Sequence, residues 1–426
     1  MSESERPIID PALLRGLTMP RLTRRSALRS AGVVGMSALL AACEVKGTSK
    51  SAPPPNEVKS FWDKQTKSGV LNFANWPAYI DTEPVNGKTT LQQFTDATSI
   101  KVNYKEVILD NDSFLGKILP MLHAGQDTGW DLMVISSGGS VEKLIRQGFL
   151  QELDLARMPN FNNYAAAQFK NPSYDPGNKY TIAWQSGVTA IAYNPRLTGR
   201  EITSFADLFD PKFKGRVGMF ADTTDLANFT MAGLGIKPEE STPDDWRRAA
   251  DKLKQQRDSG ILRKYIDNNE EIRGLESGDL WISMAYSSDV PQINTDLADT
   301  RRPGGIKFVI PQEGGMLWTD NMCIPLKAKH PLDALTYMDY VYQPDIAAQL
   351  AASIEYVAPV QTAAKQAMQR EIPTVKGDRK KTLEAAIKDP LIFPTTADLA
   401  RTHRYRVLML EEERVWNSIF QPIVQT

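Results

Sequence analysis

Short apolar runs and longer stretches of helical spacing alternate along most of this chain. Val70-Leu71-Asn72-Phe73-Ala74-Asn75, Ile100-Lys101-Val102-Asn103-Tyr104 and Asp131-Leu132-Met133-Val134-Ile135 predict three strands. A stretch opening at Leu91-Gln92-Gln93-Phe94, then Asp112–His123 and Ser140–Gln147 with Gly148 behind it, predict the helices among them. A second series begins after Ala190-Ile191-Ala192-Tyr193-Asn194. It includes strands at Val217-Gly218-Met219-Phe220 and Trp281-Ile282-Ser283-Met284-Ala285-Tyr286, a helix at 243–256 and a helical region at 331–352. Repeated strand–helix units imply an α/β fold built on a mainly parallel sheet with helices on both faces.

The first 60 residues break this pattern. Arg24-Arg25 precede a run of small and apolar residues, Ala31 to Ala42, that ends at Leu40-Ala41-Ala42-Cys43. The run is shorter than the about 20 residues a membrane-spanning helix needs. A basic start, a short apolar core and small residues before a cut read as an export signal over 1–42. Leu-Ala-Ala-Cys resembles the bacterial lipobox, which implies lipidation at Cys43 and anchoring to the outer face of the cell membrane. The paired arginines suit a twin-arginine signal, although Ala27 stands where a larger apolar residue is usual. Residues 43–69, with Pro53-Pro54-Pro55, have the composition of an exposed tether.

Beyond Cys43 only Cys323 remains, so the exported chain cannot form an internal disulfide and must rely on a large core. Cys323 itself reads as a small buried apolar residue. Removing residues 1–42 takes away six Arg and three acidic residues, leaving 44 basic against 48 acidic side chains. That balance excludes a nucleic-acid surface and is compatible with a cationic ligand.

The richest chemistry lies in Pro311-Gln312-Glu313-Gly314-Gly315-Met316-Leu317-Trp318-Thr319-Asp320-Asn321-Met322-Cys323-Ile324-Pro325. In an extended chain Trp318 and Asp320 point to one side, setting an indole face beside a carboxylate. That pairing suits a small organic cation. Catalytic patterns are wanting: the histidines at 123, 330 and 403 are scattered, and neither HExxH, G-x-S-x-G nor a Walker loop occurs. Neither a cofactor nor a resident metal is expected.

Taken with Asn75-Trp76-Pro77-Ala78-Tyr79, Asp131–Ser136, Gly187–Ile191, Asp222-Thr223-Thr224-Asp225 and Ile354-Glu355-Tyr356-Val357-Ala358-Pro359, this run resembles the periplasmic spermidine/putrescine-binding proteins of polyamine ABC transporters. The resemblance covers about residue 70 to 426. It implies a type II periplasmic-binding-protein fold with two α/β lobes, a ligand cleft and two interlobe crossings, near Gln185–Thr189 and Asp320–Ile324. Lobe 1 is expected at 70–187 plus 321–360, and lobe 2 at 188–320 plus 361–426. It further implies a monomeric non-enzyme that captures a polyamine and hands it to a permease and its ATPase, the lipid anchor being its one membrane attachment.

By the same resemblance the ligand-binding residues are Trp76, Tyr79, Ser136 or Ser137, Asp222, Asp225, Tyr286, Trp318, Asp320 and Tyr356. The chain departs from the family at Gly138-Gly139, near where a tyrosine is usual, so one aromatic wall is expected to be missing. Tyr286 replaces a usual tryptophan, and Asp225 a usual glutamate. Taken singly, these residues have plain structural roles as well: Trp76 and Trp318 as core aromatics, Asp222 or Asp225 as a helix cap, Asp320 as a partner for turn backbone. A receptor for another cationic or small polar solute, and a cell-envelope enzyme on the same fold, remain alternatives.

Overall fold

A computed structural model describes residues 55–425 apart from 83–86, 267–269, 292 and 295–304. The export signal and Cys43 lie outside the described residues. Among the described residues ten strands form one sheet: β1 (Val70–Asn75), β2 (Lys101–Glu106), β3 (Leu132–Ser136), β4 (Thr181–Tyr193), β5 (Val217–Phe220), β6 (Leu262–Ile266), β7 (Ile282–Tyr286), β8 (Lys307–Val309), β9 (Gly315–Cys323) and β10 (Thr402–His403). The main order is β2-β1-β3-β9-β4-β7-β5-β6, with β10 on β9 and β8 on β4.

The expected parallel pairing holds at the two ends, where β1 pairs with β2 and β3, and β5 with β6 and β7. The middle departs from it. There β9 runs antiparallel to both β3 and β4, and β4 antiparallel to β7. The reason is topological: β4 carries the chain from one end of the sheet to the other and β9 carries it back, so the two must oppose each other.

Each end has its own core. Phe73, Phe94, Trp184 and Tyr337 centre the first, and Phe205, Phe229, Trp246 and Trp416 the second, all at most 1% exposed except Trp416 at 2%. One strand serves both, since Trp184 of β4 packs in the first core and Ile191 in the second; likewise Met316 of β9 lies in the second and Met322 in the first. Residues 361–393 correct an expected boundary. Ala364, Ala367, Met368, Leu383, Ile392 and Phe393 join the first core, and the chain rejoins the second only by Tyr405. The helical region 331–352 is also two helices, Pro331–Tyr340 and Pro344–Ile354, because proline at 344 starts a new first turn instead of continuing the old one.

Local chemistry sets the loops that face the sheet's centre. Asp222 caps the helix Thr223–Gly233, its carboxylate accepting from the Asp225 N–H at 2.8 Å. Gly314 turns the chain into β9 at φ 107°, where a side chain would collide with the Arg401 carbonyl. Cys323 is fully buried and unbridged. Among the described residues no helix is long and apolar enough to cross a membrane.

Candidate functional site

Register on the central strands builds the site on one face of the sheet. Asp320 lies opposite Ser136 on β3 and opposite Gln185 on β4. Two positions away Trp318 lies opposite Gly187, and Thr189 in turn lies opposite Tyr286 on β7. Directly opposed residues of antiparallel strands share a face, so these side chains are coplanar neighbours. Gly187 is required: a β-carbon there would stand 2.3 Å from Trp318 Cζ2, so only hydrogen leaves room for the indole.

One carboxylate sits at each end of this row. Asp320 accepts from the Tyr79 hydroxyl at 2.7 Å and the Ser136 hydroxyl at 2.6 Å. Asp225 accepts from Thr189 at 2.8 Å, from Tyr286 at 3.1 Å and from Tyr405. Four rings link the two ends edge to face. Centroids are 5.4 Å apart from Tyr79 to Tyr356, 5.3 Å from Tyr356 to Trp318 and 5.8 Å from Trp318 to Tyr286.

Burial shifts every acid here upward. Asp320 is pushed up to about 6 by desolvation, against the pull of its two hydroxyl donors. Asp222 is pushed up to about 7 by burial and then by the Asp225 charge, and Asp225 is raised by burial despite its three donors. Behind Tyr286 and Tyr356 lies a second acidic pair. Asp289 accepts from the Tyr286 N–H at 2.9 Å and is pushed up to about 7, and fully buried Glu271 to about 9, in both cases chiefly by burial. Among the described residues, none of these five acids has a lysine or arginine in an ion pair. Two polar atoms of the site are left over: Gln185 Oε1 and Trp318 Nε1 are buried without a partner. Gln185 Oε1 is an acceptor left open, which is what a donor-rich cation needs. Among the described residues no three metal-ligating groups converge.

The structure therefore gathers Tyr79, Ser136, Asp225, Tyr286, Trp318, Asp320 and Tyr356 into one row. Ser137 serves differently, exchanging bonds with the Thr319 backbone at 2.8 and 3.0 Å to tie β3 to β9. Trp76 packs against the first core and gives its indole N–H to the Val134 carbonyl at 3.0 Å. Asp222 acts as the cap already described and flanks Asp225. Tyr405, Gln185, Thr189, Asp289 and Glu271 were not foreseen. Tyr405 bears on the wall expected to be missing at Gly138-Gly139, because its ring lies against Gly138, where a β-carbon would be 3.1 Å from Tyr405 Cγ. The aromatic arrives from the C-terminal segment instead of the loop. Tyr405 and Gly138 also line a cavity of about 260 Å³ with Ser137, Glu142, Tyr174 and Arg404.

Two cores joined through shared antiparallel strands, with a polar and aromatic row on that junction, define a two-lobed solute receptor. The chain belongs to the bacterial extracellular solute-binding proteins, whose family pattern matches residues 128–377. The spermidine/putrescine-binding periplasmic protein of Escherichia coli is 29% identical over 314 residues, 72% of this chain and 82% of that one. A putrescine/cadaverine-binding protein of Pseudomonas aeruginosa is 27% identical over 365 residues, 84% and 94% of the two chains. In fold, the chain is similar to the spermidine/putrescine ABC transporter substrate-binding protein PotD of Streptococcus pneumoniae, crystallised with calcium and HEPES. That likeness has a TM-score of 0.67 at 22% identity over 84% of this chain and 98% of that one. The TpPotD lipoprotein of Treponema pallidum aligns with a TM-score of 0.68 at 19% identity, over 84% and 100%.

Proposed function

We propose that this protein is the polyamine receptor of an ABC importer, holding spermidine, putrescine or a related amine between its lobes and delivering it to a permease and its ATPase. The observation that carries this reading is the pair of buried carboxylates, Asp320 and Asp225, without cationic partners and joined by a continuous row of ring faces. Leaving such acids unpaired is costly, and an incoming ammonium at each end offsets that cost. Between them the rings cover methylenes and attract nitrogen charge, at about 0.5–2 kcal/mol per cation–π contact. Asp320 and the Thr189 that holds Asp225 are four ladder positions apart, about 13 Å along the strands. Acids set apart on that scale suit an elongated ligand with charge at its ends better than a compact one. The names of the relatives point the same way.

Export with a lipid anchor at Cys43 belongs to this reading and is supported by the Leu40–Cys43 pattern. Cys43→Ala is expected to move the protein from the membrane fraction to the soluble one. The receptor itself is tested by isothermal titration of residues 43–426 with putrescine, cadaverine, spermidine and spermine. Saturable heat with at least one amine is expected, and none with an uncharged diol of equal length. Absence of binding to all four would sink the proposal.

A further inference from the structure

We infer that Gln185 makes the Asp320 end of the slot selective for a primary ammonium, the kind with three N–H donors; this rests on the polyamine reading above. Gln185 is 2% exposed, lies directly across the ladder from Asp320 and leaves Oε1 without a partner. The register shifts between Ala183 and Gln185, which makes Trp184 the extra residue of a bulge, and the ladder resumes with Gln185 opposite Asp320; a nitrogen bound to Asp320 therefore faces the strand position that carries the Gln185 amide. A carboxylate offers about four acceptor directions. Two at Asp320 are taken by Tyr79 and Ser136. Two remain, and Gln185 Oε1 supplies a third. Three acceptors match three N–H groups.

A secondary ammonium, with two N–H groups, leaves one of those acceptors buried and empty, and a quaternary nitrogen leaves all three. The opposite end differs. Asp225 already accepts from three hydroxyls, Thr189, Tyr286 and Tyr405, so it has less capacity to count donors. Gln185 thus orients an asymmetric amine, drawing its primary terminus to Asp320.

Calorimetric titration of the parent and of Gln185→Leu, with putrescine and with its analogue trimethylated at both nitrogens, tests this. Leucine keeps the bulk and removes the acceptor, so putrescine affinity should fall about tenfold or more while the trimethylated analogue binds as it does to the parent. Gln185→Glu, which keeps an acceptor at the same reach, should retain the parent's preference for putrescine over the analogue. Should Gln185→Leu fail to fold, as read by its melting temperature, Gln185→Met makes the same comparison. Equal losses for both ligands, or no loss for either, overturn the role of Gln185 and leave the receptor reading standing. A parent that binds no amine at all overturns both.

Discussion

At the scale of single residues, the proposed binding mode makes the acids responsible for both affinity and pH response. Asp320→Asn keeps the shape and one of the two bonds accepted from Tyr79 and Ser136 but removes the charge an ammonium would meet. Affinity for putrescine and spermidine should fall by about 2–5 kcal/mol, read by titration. The same carboxyl sets the pH profile. Its value is raised from 3.8 to about 6 in the folded protein, so the folded state holds the proton to higher pH than the unfolded chain does. It therefore contributes stability that is full below 3.8 and is lost as pH rises through 6. Ligand binding runs the opposite way, because the amine selects the ionised acid. Below pH 6 affinity should drop by up to about tenfold per unit for one carboxylate, and more steeply where Asp222, at about 7, titrates as well. Thermal melts with and without ligand at pH 5 and 8 should show the larger ligand-induced shift at pH 8. An equal shift at both would exclude a buried acid as the cation's partner.

At the scale of elements, β4 and β9 decide the geometry, and one position between them is especially exacting. Gly187→Ala would place a methyl within 2.3 Å of the Trp318 indole, so the ring must leave its slot between Tyr356 and Tyr286. We expect that variant to fold with stability lowered by about 1–3 kcal/mol. It should lose more amine affinity than Trp318→Phe, a comparison that titration and denaturant melts resolve together. Elements also show what was legible in advance. The strands at Val70, Ile100, Asp131, Val217 and Trp281 follow from short apolar runs, and the shared face of Trp318 and Asp320 from the two-residue period of an extended chain. Gln185 and Thr189 escaped notice because their neighbours, Trp184 to Ala190, form one buried run in which no alternation marks an inward side. The role of Gln185 depends on register with the distant β9 and that of Thr189 on a bond to Asp225, 36 positions away. Tyr405 was hidden for the same reason, since its bond to Asp225 spans 180 positions and the surrounding His-Arg-Tyr-Arg reads as an exposed loop. Residues 361–393 were assigned to the wrong core because amphipathic spacing shows that a helix has an apolar face, not which body that face meets.

At the scale of the whole molecule, the groups proposed to hold the ligand come from both ends of the sheet: Tyr79 and Ser136 belong to strands and loops of the first body, Tyr286 and Asp225 to the second. A ligand that touches both stabilises the state in which they are close. Small-angle scattering should show a smaller radius of gyration with saturating putrescine than without. An unchanged radius alongside confirmed binding would mean that the lobes do not move. The antiparallel pair has one more consequence. Trp318, Asp320 and Gln185 do not line a cleft that some distant hinge opens and shuts; they sit on the two ribbons that must themselves twist when the lobes separate. Recognition and release are therefore written in the same few residues, and tuning this receptor for a tighter grip will change how quickly it lets go at the permease.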